Sequence, residues 1–168
     1  MFMDNRMQLK NSLKLGLLSA VLFLLISCKD QTANIGSQAP DIAAFDLQGN
    51  KVELSQFAGK KLLINFWSET CGICIVEMKL LQQFSQSYPE HLQLLAINID
   101  GERGNTQAVA DKNQLTLPIA KDQLNITAER YQLVGTPTSF VLDPKGKILY
   151  KFEGLIPENE LRKLFEEK

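Results

Sequence analysis

Cys71 and Cys74 stand in the run Ser68-Glu69-Thr70-Cys71-Gly72-Ile73-Cys74-Ile75-Val76-Glu77, and Glu77 repeats the interval between them. Cysteines at this spacing can be a redox pair, half of a metal site, or two buried apolar residues. If a helix starts at Cys71, residues 71, 74 and 77 lie along one of its faces. The first cysteine then sits at the helix N-terminus, where unpaired N–H groups and the helix dipole favour a thiolate. The thiolate is the attacking species in thiol–disulfide exchange. Cys74, one turn further on, is near enough to close a disulfide. Glu77, among Ile75, Met78 and Leu81, would be partly buried with its pKa raised. A carboxylate so placed could take the proton of Cys74. A solvated glutamate on the helix surface is the other reading, and spacing alone leaves both open.

Such a pair needs a rigid mount. Lys61 to Trp67, KLLINFW, is a continuous apolar run of strand length, the pattern of a central buried strand. From Cys71 to about Tyr88 the residues Ile75, Met78, Leu80, Leu81 and Phe84 follow a helical period, and Pro89 ends it. Leu92 to Ile99 predicts a second buried strand. Residues 104–114 are polar and partly helical, 116–122 hold a short strand, and Asn125 to Tyr131 form a short helix. Thr138–Leu142 and Lys147–Phe152 predict strands joined by the turn Asp143-Pro144-Lys145-Gly146. Pro157 to Glu167 closes the chain as a helix with Leu161, Leu164 and Phe165 on one face. Earlier, short apolar stretches around Gly49-Asn50 predict a β-hairpin, followed by a helical turn near Ser55–Phe57. This order gives an α/β fold: a central mixed β-sheet flanked by helices, parallel at its centre, with an N-terminal β-hairpin at its far edge.

The 168 residues fit one domain of ordinary size, and 45% hydrophobic with 22% charged residues suffices for a core. A net charge of −1 excludes a broad basic surface for nucleic acid. The N-terminal residues differ from the rest. Arg6, Lys10 and Lys14 precede the apolar run Leu15–Ile26, the charged-then-apolar order of an export signal. That run is shorter than the roughly 20 apolar residues of a spanning helix. It ends in Leu25-Ile26-Ser27-Cys28, which resembles the bacterial lipobox, where a small residue permits cleavage and the cysteine is acylated. Residues 1–27 are therefore expected to be a lipoprotein signal peptide, with Cys28 the lipidation site. Residues 28–38 are expected to form the lipidated N-terminus and a polar tether, and 39–168 the folded domain. An ordinary signal peptide ending by chance at a cysteine is the alternative. Acyl chains, at about 0.8 kcal/mol per buried CH₂, would hold the domain on a membrane. Lys29 stands where aspartate is the inner-membrane retention signal in enteric-type bacteria, so the outer membrane is slightly favoured. With Cys28 acylated, only Cys71 and Cys74 remain, in an oxidising compartment. The loop they would close is too small to be an effective structural staple.

Val134-Gly135-Thr136-Pro137-Thr138 precedes a predicted strand, and a proline there cannot donate a ladder hydrogen bond. A cis Thr136–Pro137 bond would turn the chain and free backbone groups to pair with an extended peptide; a trans bond is the commoner form. Taken with IGSQAPDI, LSQFAGKKLLINFW, CGIC, VGTPTSFVLDPKGKI and LIPENELRKL, the chain from about Ile35 to Leu164 resembles the TlpA-like thioredoxins. These are redoxin-related, membrane-anchored thiol–disulfide oxidoreductases whose cytochrome c-maturation members are best known. The resemblance implies a thioredoxin-like fold, Cys71 as nucleophile, Cys74 as resolving thiol and Glu77 as the buried carboxylate. It implies Pro137 as a cis-proline facing the pair, with Thr136 beside it at the client surface. Asn65 stands where cytosolic thioredoxins keep a buried aspartate, which strengthens Glu77 as proton acceptor. Trp67 is either a client contact or a core residue.

Two residues depart from the family pattern. Thr70 stands where tryptophan usually precedes the first cysteine, and Ile73 where proline usually precedes the second. The first change removes an aromatic platform beside the thiolate, and the second alters the helix start and the redox potential. Three rivals remain. A thiol peroxidase needs a proline and a threonine or serine ahead of its peroxidatic cysteine; Ser68 is three before Cys71, but no proline lies in that loop. A metal carrier needs a third soft ligand, and His91, the only histidine, follows Pro89 at the far end of the predicted helix and reads as a surface residue. A structural envelope lipoprotein without activity is the third. The expectation is a monomeric, lipid-anchored disulfide reductase of the bacterial envelope, its domain facing the periplasm. It would use the Cys71–Cys74 disulfide and no cofactor or metal. Its partners would be a disulfide-containing exported client and a membrane electron donor.

Overall fold

A computed structural model describes residues 32–166. In chain order these form β1 (Ala44–Asp46), β2 (Lys51–Val52), a 3₁₀ turn (Leu54–Phe57), β3 (Lys61–Trp67), α1 (Gly72–Ser87) and β4 (Leu92–Asn98). A second 3₁₀ turn (Gly101–Arg103) is followed by α2 (Thr106–Asn113), β5 (Ile119–Lys121), α3 (Ile126–Arg130), β6 (Thr138–Leu142), β7 (Ile148–Glu153) and α4 (Glu158–Glu166). The strands make one sheet in the order β2-β1-β5-β4-β3-β6-β7. Its centre, β3, β4 and β5, is parallel. β6 runs antiparallel to β3 and β7 antiparallel to β6. The β1–β2 hairpin lies at the other edge, as its sequence predicts.

β3 explains why its sequence lacks alternation: it is buried on both faces. Successive side chains point to opposite sides. Leu62, Ile64 and Phe66 enter one core with Leu95, Ile97, Tyr131 and Phe140. Leu63 and Trp67 enter the other, against Met78, Leu81 and Phe84 of α1 and Leu161 and Phe165 of α4. Asn65 falls between Leu63 and Trp67 and so faces α1. In β6 the same parity sends Phe140 and Leu142 to the first core and Val141 to the second. Ser139, directly opposite Asn65 in the ladder, shares the α1 side.

Two sequence expectations change. The free tether expected over residues 28–38 is, in its described part, stitched to the domain. Gly36 N–H donates to Ile148 O (2.8 Å), and Ile148 N–H returns a bond to Ser37 O (2.9 Å). Ala33 is buried, and Gln38 bridges to Lys147. Small residues and free backbone groups let this polar stretch extend the sheet edge, so the folded unit takes in residues 32–38 as well as those from 39 onward. His91 is half-buried, not a free surface residue: its Nδ1 lies 2.7 Å from Phe165 O and ties the start of β4 to α4. The expected signal peptide and the Cys28 lipidation site lie outside the described residues. Among the described residues no helix is long and apolar enough to cross a membrane.

Candidate active site

β3 ends at Trp67, and the loop Ser68–Thr70 turns the chain into α1. Asp100, just after β4, fixes that loop. Its Oδ1 accepts from Ser68 Oγ (2.8 Å), and its Oδ2 from Glu69 N–H (2.6 Å) and Asn98 Nδ2 (2.7 Å). Glu69 in turn spans to α2. Its Oε2 accepts from Asn105 N–H (3.0 Å) and its Oε1 from Thr106 Oγ (2.8 Å). Two parallel strands thus place two acidic side chains where they lock the approach to the cysteines.

Cys71 is the N-cap of α1, in extended backbone geometry (φ −88°, ψ 91°). Its sulfur accepts from Cys74 N–H at 3.2 Å. No acidic residue sits in the first turn to oppose a negative sulfur, so the helix dipole acts on it unopposed by its own helix. The two cysteines are joined in a disulfide, with their Cα atoms 5.3 Å apart. Cys71 is half-buried and Cys74 fully buried, the asymmetry expected of an attacking and a resolving sulfur. Cys71 Sγ lies 3.7 Å from Thr136 O. The Thr136–Pro137 bond is cis, the form that the family resemblance implies and that the residues alone leave open. Pro137 O accepts from Gly154 N–H (2.8 Å). Among the described residues nothing pairs with Thr136 N–H.

Glu77 is 1% exposed, so the open question between a solvated and a buried carboxylate resolves to burial. Its Oε1 accepts from Ile156 N–H (2.7 Å) and its Oε2 from Asn65 Nδ2 (2.7 Å). Burial pushes the Glu77 pKa up, and these two donors partly offset the push. Asn65 Nδ2 also donates to Ser139 Oγ (2.9 Å), while Asn65 Oδ1 has no partner. Sequence reasoning missed Ser139 and Ile156. A polar residue inside the buried strand TSFVL was the available signal for Ser139; no sequence signal marks the Ile156 amide.

Trp67 is a correction. Its side chain is 0% exposed and belongs to the core between β3 and α1, so it offers a client no surface. The strand parity that turns it toward α1 is the cause. Exposed apolar groups lie elsewhere near the pair: Ile73 between the cysteines, Val76 at the start of the second turn of α1, and Val134 ahead of Thr136. Among the described residues no three His, Cys, Asp or Glu side chains cluster in a way that could hold a metal. A cavity of about 610 Å³ lies between the hairpin and α3, lined by Asp41, Phe45, Leu54, Leu124 and Arg130; neither cysteine borders it.

Residues 35–151 match the AhpC/TSA family model. The chain is 34% identical over 143 residues to the thioredoxin-like protein YneN of Bacillus subtilis, covering 83% of this chain and 84% of that protein. It is 30% identical over 152 residues to the thiol-disulfide oxidoreductase ResA of Bacillus thuringiensis, covering 82% and 88%. Among solved structures, a thiol:disulfide interchange protein DsbE from Chlorobium tepidum superposes with a TM-score of 0.72 at 28% identity, over 79% of this chain and 96% of that one. The thioredoxin domain of a thiol-disulfide oxidoreductase from Bacteroides vulgatus gives 0.69 at 25% identity, over 79% and 98%. The expected thioredoxin-like fold is therefore present. The chain belongs to the AhpC/TSA family and, within it, to the TlpA-like thiol–disulfide oxidoreductases.

Proposed function

We propose that this oxidoreductase works as a disulfide reductase of exported proteins, held on a bacterial membrane by lipid on Cys28. The observation that supports the chemistry best is the Cys71–Cys74 disulfide at the α1 N-terminus, with a buried carboxylate one turn further along the same face. In the reduced protein the Cys71 thiolate attacks one sulfur of a client disulfide. A Cys71–client bond forms, the client S–S bond breaks, and the second client sulfur leaves as a thiolate. Cys74 then gives its proton to Glu77, attacks Cys71 Sγ and forms the intramolecular disulfide. The first client sulfur leaves, and two electrons have passed from this protein to the client. A membrane dithiol donor returns the pair to its reduced form.

Thr136 and Pro137 serve the client. The unpaired Thr136 N–H is a ready donor to an extended client backbone beside the disulfide. The exposed apolar side chains of Ile73 and Val134 offer the client the contact that a buried Trp67 cannot. The reductive direction rests on the family resemblance, and the export reading on the charged-then-apolar N-terminus and its lipobox-like end. Reduction of insulin disulfides tests the activity: wild type turns over, Cys71→Ser does not, and Cys74→Ser accumulates a mixed disulfide. An inactive wild type would point instead to a structural lipoprotein. A strongly oxidising Cys71–Cys74 potential would reverse the direction. Palmitate incorporation abolished by Cys28→Ala tests the anchor, and unchanged incorporation would remove it.

A further inference from the structure

The contact between Asn65 and Glu77 poses a proton problem. Three side chains meet here in the dry space between β3, β6 and α1: Asn65 (1% exposed), Glu77 (1%) and Ser139 (0%). The amide of Asn65 points Nδ2 at both Glu77 Oε2 (2.7 Å) and Ser139 Oγ (2.9 Å). That orientation suits an ionised Glu77, which only accepts. When Glu77 takes a proton, the carboxyl cannot present it to Ile156, whose backbone N–H is itself a donor to Oε1 at 2.7 Å. The proton must sit on Oε2. There it faces the N–H of Asn65, donor against donor, at a distance that needs an acceptor.

We propose that the Asn65 carboxamide is a proton-linked switch, turning over about its terminal bond as Glu77 gains or loses a proton. With the amide reversed, Oδ1 occupies the place of Nδ2. It accepts from Glu77 Oε2–H and from the Ser139 hydroxyl, which can donate as readily as it accepts. The heavy atoms of Glu77 and Ser139 need not move, which matters in a core packed this closely. In the observed orientation the atom without a partner is Oδ1; in the reversed one it is Nδ2. The observed orientation leaves one acceptor unpaired and the reversed one leaves the two N–H donors of Nδ2 unpaired, so the amide alone favours the observed orientation and only the Glu77 proton turns it. An aspartate at 65 would add a second buried charge, and an apolar residue would offer no bond in either state.

This proposal rests on the reading of Glu77 as the proton acceptor of Cys74. The groups that bond Glu77 are Asn65 from β3, with Ser139 of β6 beyond it, and the Ile156 N–H from the loop before α4; Cys74, also buried, lies one turn earlier on the same helix. No charged side chain is among the causes that move its pKa: burial raises it, and the neutral dipoles of Ile156 and Asn65 partly offset that rise. Asn65 is then a positioning residue for the resolving step alone. It keeps Glu77 hydrogen-bonded both while waiting for the Cys74 proton and after receiving it.

The test uses reduced, full-length protein in detergent micelles, with ¹⁵N label on Asn and ¹³C label on the Glu carboxyl. The Asn65 side-chain resonances are identified by their loss in Asn65→Asp. The switch requires both Asn65 N–H protons to shift at the pH midpoint of the Glu77 carboxyl, with the contact to Ser139 lost on the protonated side. Asn65 resonances that stay fixed while Glu77 titrates would overturn it. Single-turnover kinetics supply the second arm. Asn65→Leu should leave the Cys71 attack unchanged and slow the Cys74 resolving step about tenfold, the size of a one-unit pKa change. Equal slowing of both steps would mean a structural role only and would also overturn the switch. Failure of the underlying reading looks different: Glu77→Gln would then resolve the mixed disulfide at the wild-type rate.

Discussion

The carboxylate of Glu69 fills the space that any side chain at Gly104 would need. A Cβ built on Gly104 would collide with Glu69 Oε1, Cδ and Oε2. Gly104 is glycine for room, because its backbone (φ −77°, ψ 154°) is one that any residue adopts. The loop after β4 wraps the acidic side chain, which caps Asn105 and Thr106 from outside α2.

Gly104→Ala should displace Glu69 and lose both of those bonds. The expected cost is about 1–3 kcal/mol, the usual range for stranding hydrogen-bonded partners. Glu69→Ala should cost a similar amount, and the double variant little more than either single one, because both remove the same contact. Chemical denaturation of the four proteins checks this. Additive losses would show that the two residues act separately.

Glu77 makes stability depend on pH in an unusual sense. Burial raises its pKa, so the folded state binds this proton more tightly than the unfolded chain does. Its contribution is fully present below the ordinary glutamate pKa and is lost as pH rises through the raised folded value. Glu77→Gln removes that dependence. The stability of wild type relative to Glu77→Gln should therefore fall with rising pH over that window and then level off. Denaturation midpoints of both proteins from acid to neutral pH measure it; a difference that grows with pH would contradict the buried, raised carboxyl.

Trp67→Ala should destabilise by about 3–5 kcal/mol, as other buried aromatic truncations do. Trp67→Phe should cost much less, since it also removes an indole N–H that has no partner in the core. Neither change should weaken client binding once folding is corrected for. Measuring the Michaelis constant for a peptide disulfide under conditions where both variants are folded decides between core and contact roles.

Tyr131→Phe is the matching control far from the disulfide. The Tyr131 hydroxyl donates to Pro40 O (2.9 Å) in a buried cluster with Phe66 and Phe140. Its loss should cost about 1–3 kcal/mol by stranding that carbonyl. The Cys71–Cys74 potential should stay at the wild-type value. A shifted potential would show coupling across the sheet between its two faces.

What the sequence revealed follows from what local pattern records. β3 and α1 are legible because burial on both faces, or along one helical stripe, repeats within a few residues. Cys71, Cys74 and Glu77 share one such stripe, so their spacing alone reveals their alignment. The hydrogen-bonded network around Glu77, in which Asn65 and Ile156 bond it and Ser139 bonds Asn65, is not legible in this way. Asn65, Ser139 and Ile156 lie 12, 62 and 79 positions away in the chain, and only the pairing of β6 against β3 and the return of the loop before α4 bring them in. The Asp100 and Glu69 clamps are hidden for the same reason. Trp67 is ambiguous in sequence because an aromatic at a strand end fits a rim or a core equally well; the face it turns to depends on strand parity. The stretch before residue 39 reads as a free linker because polar composition does not reveal backbone pairing with a distant sheet edge.

The first described residues are sewn to the turn between β6 and β7, at the end of the sheet where β3 begins. Cys71 lies past the other end of β3, whose 7 residues span roughly 23 Å at about 3.3 Å per residue. Residues 36–38 therefore stand at one end of β3 while the sulfurs sit at the other. Chain sewn in at residues 36–38 is thereby kept a strand's length from the sulfurs, so its backbone bonds and the disulfide do not compete for the same end of the sheet.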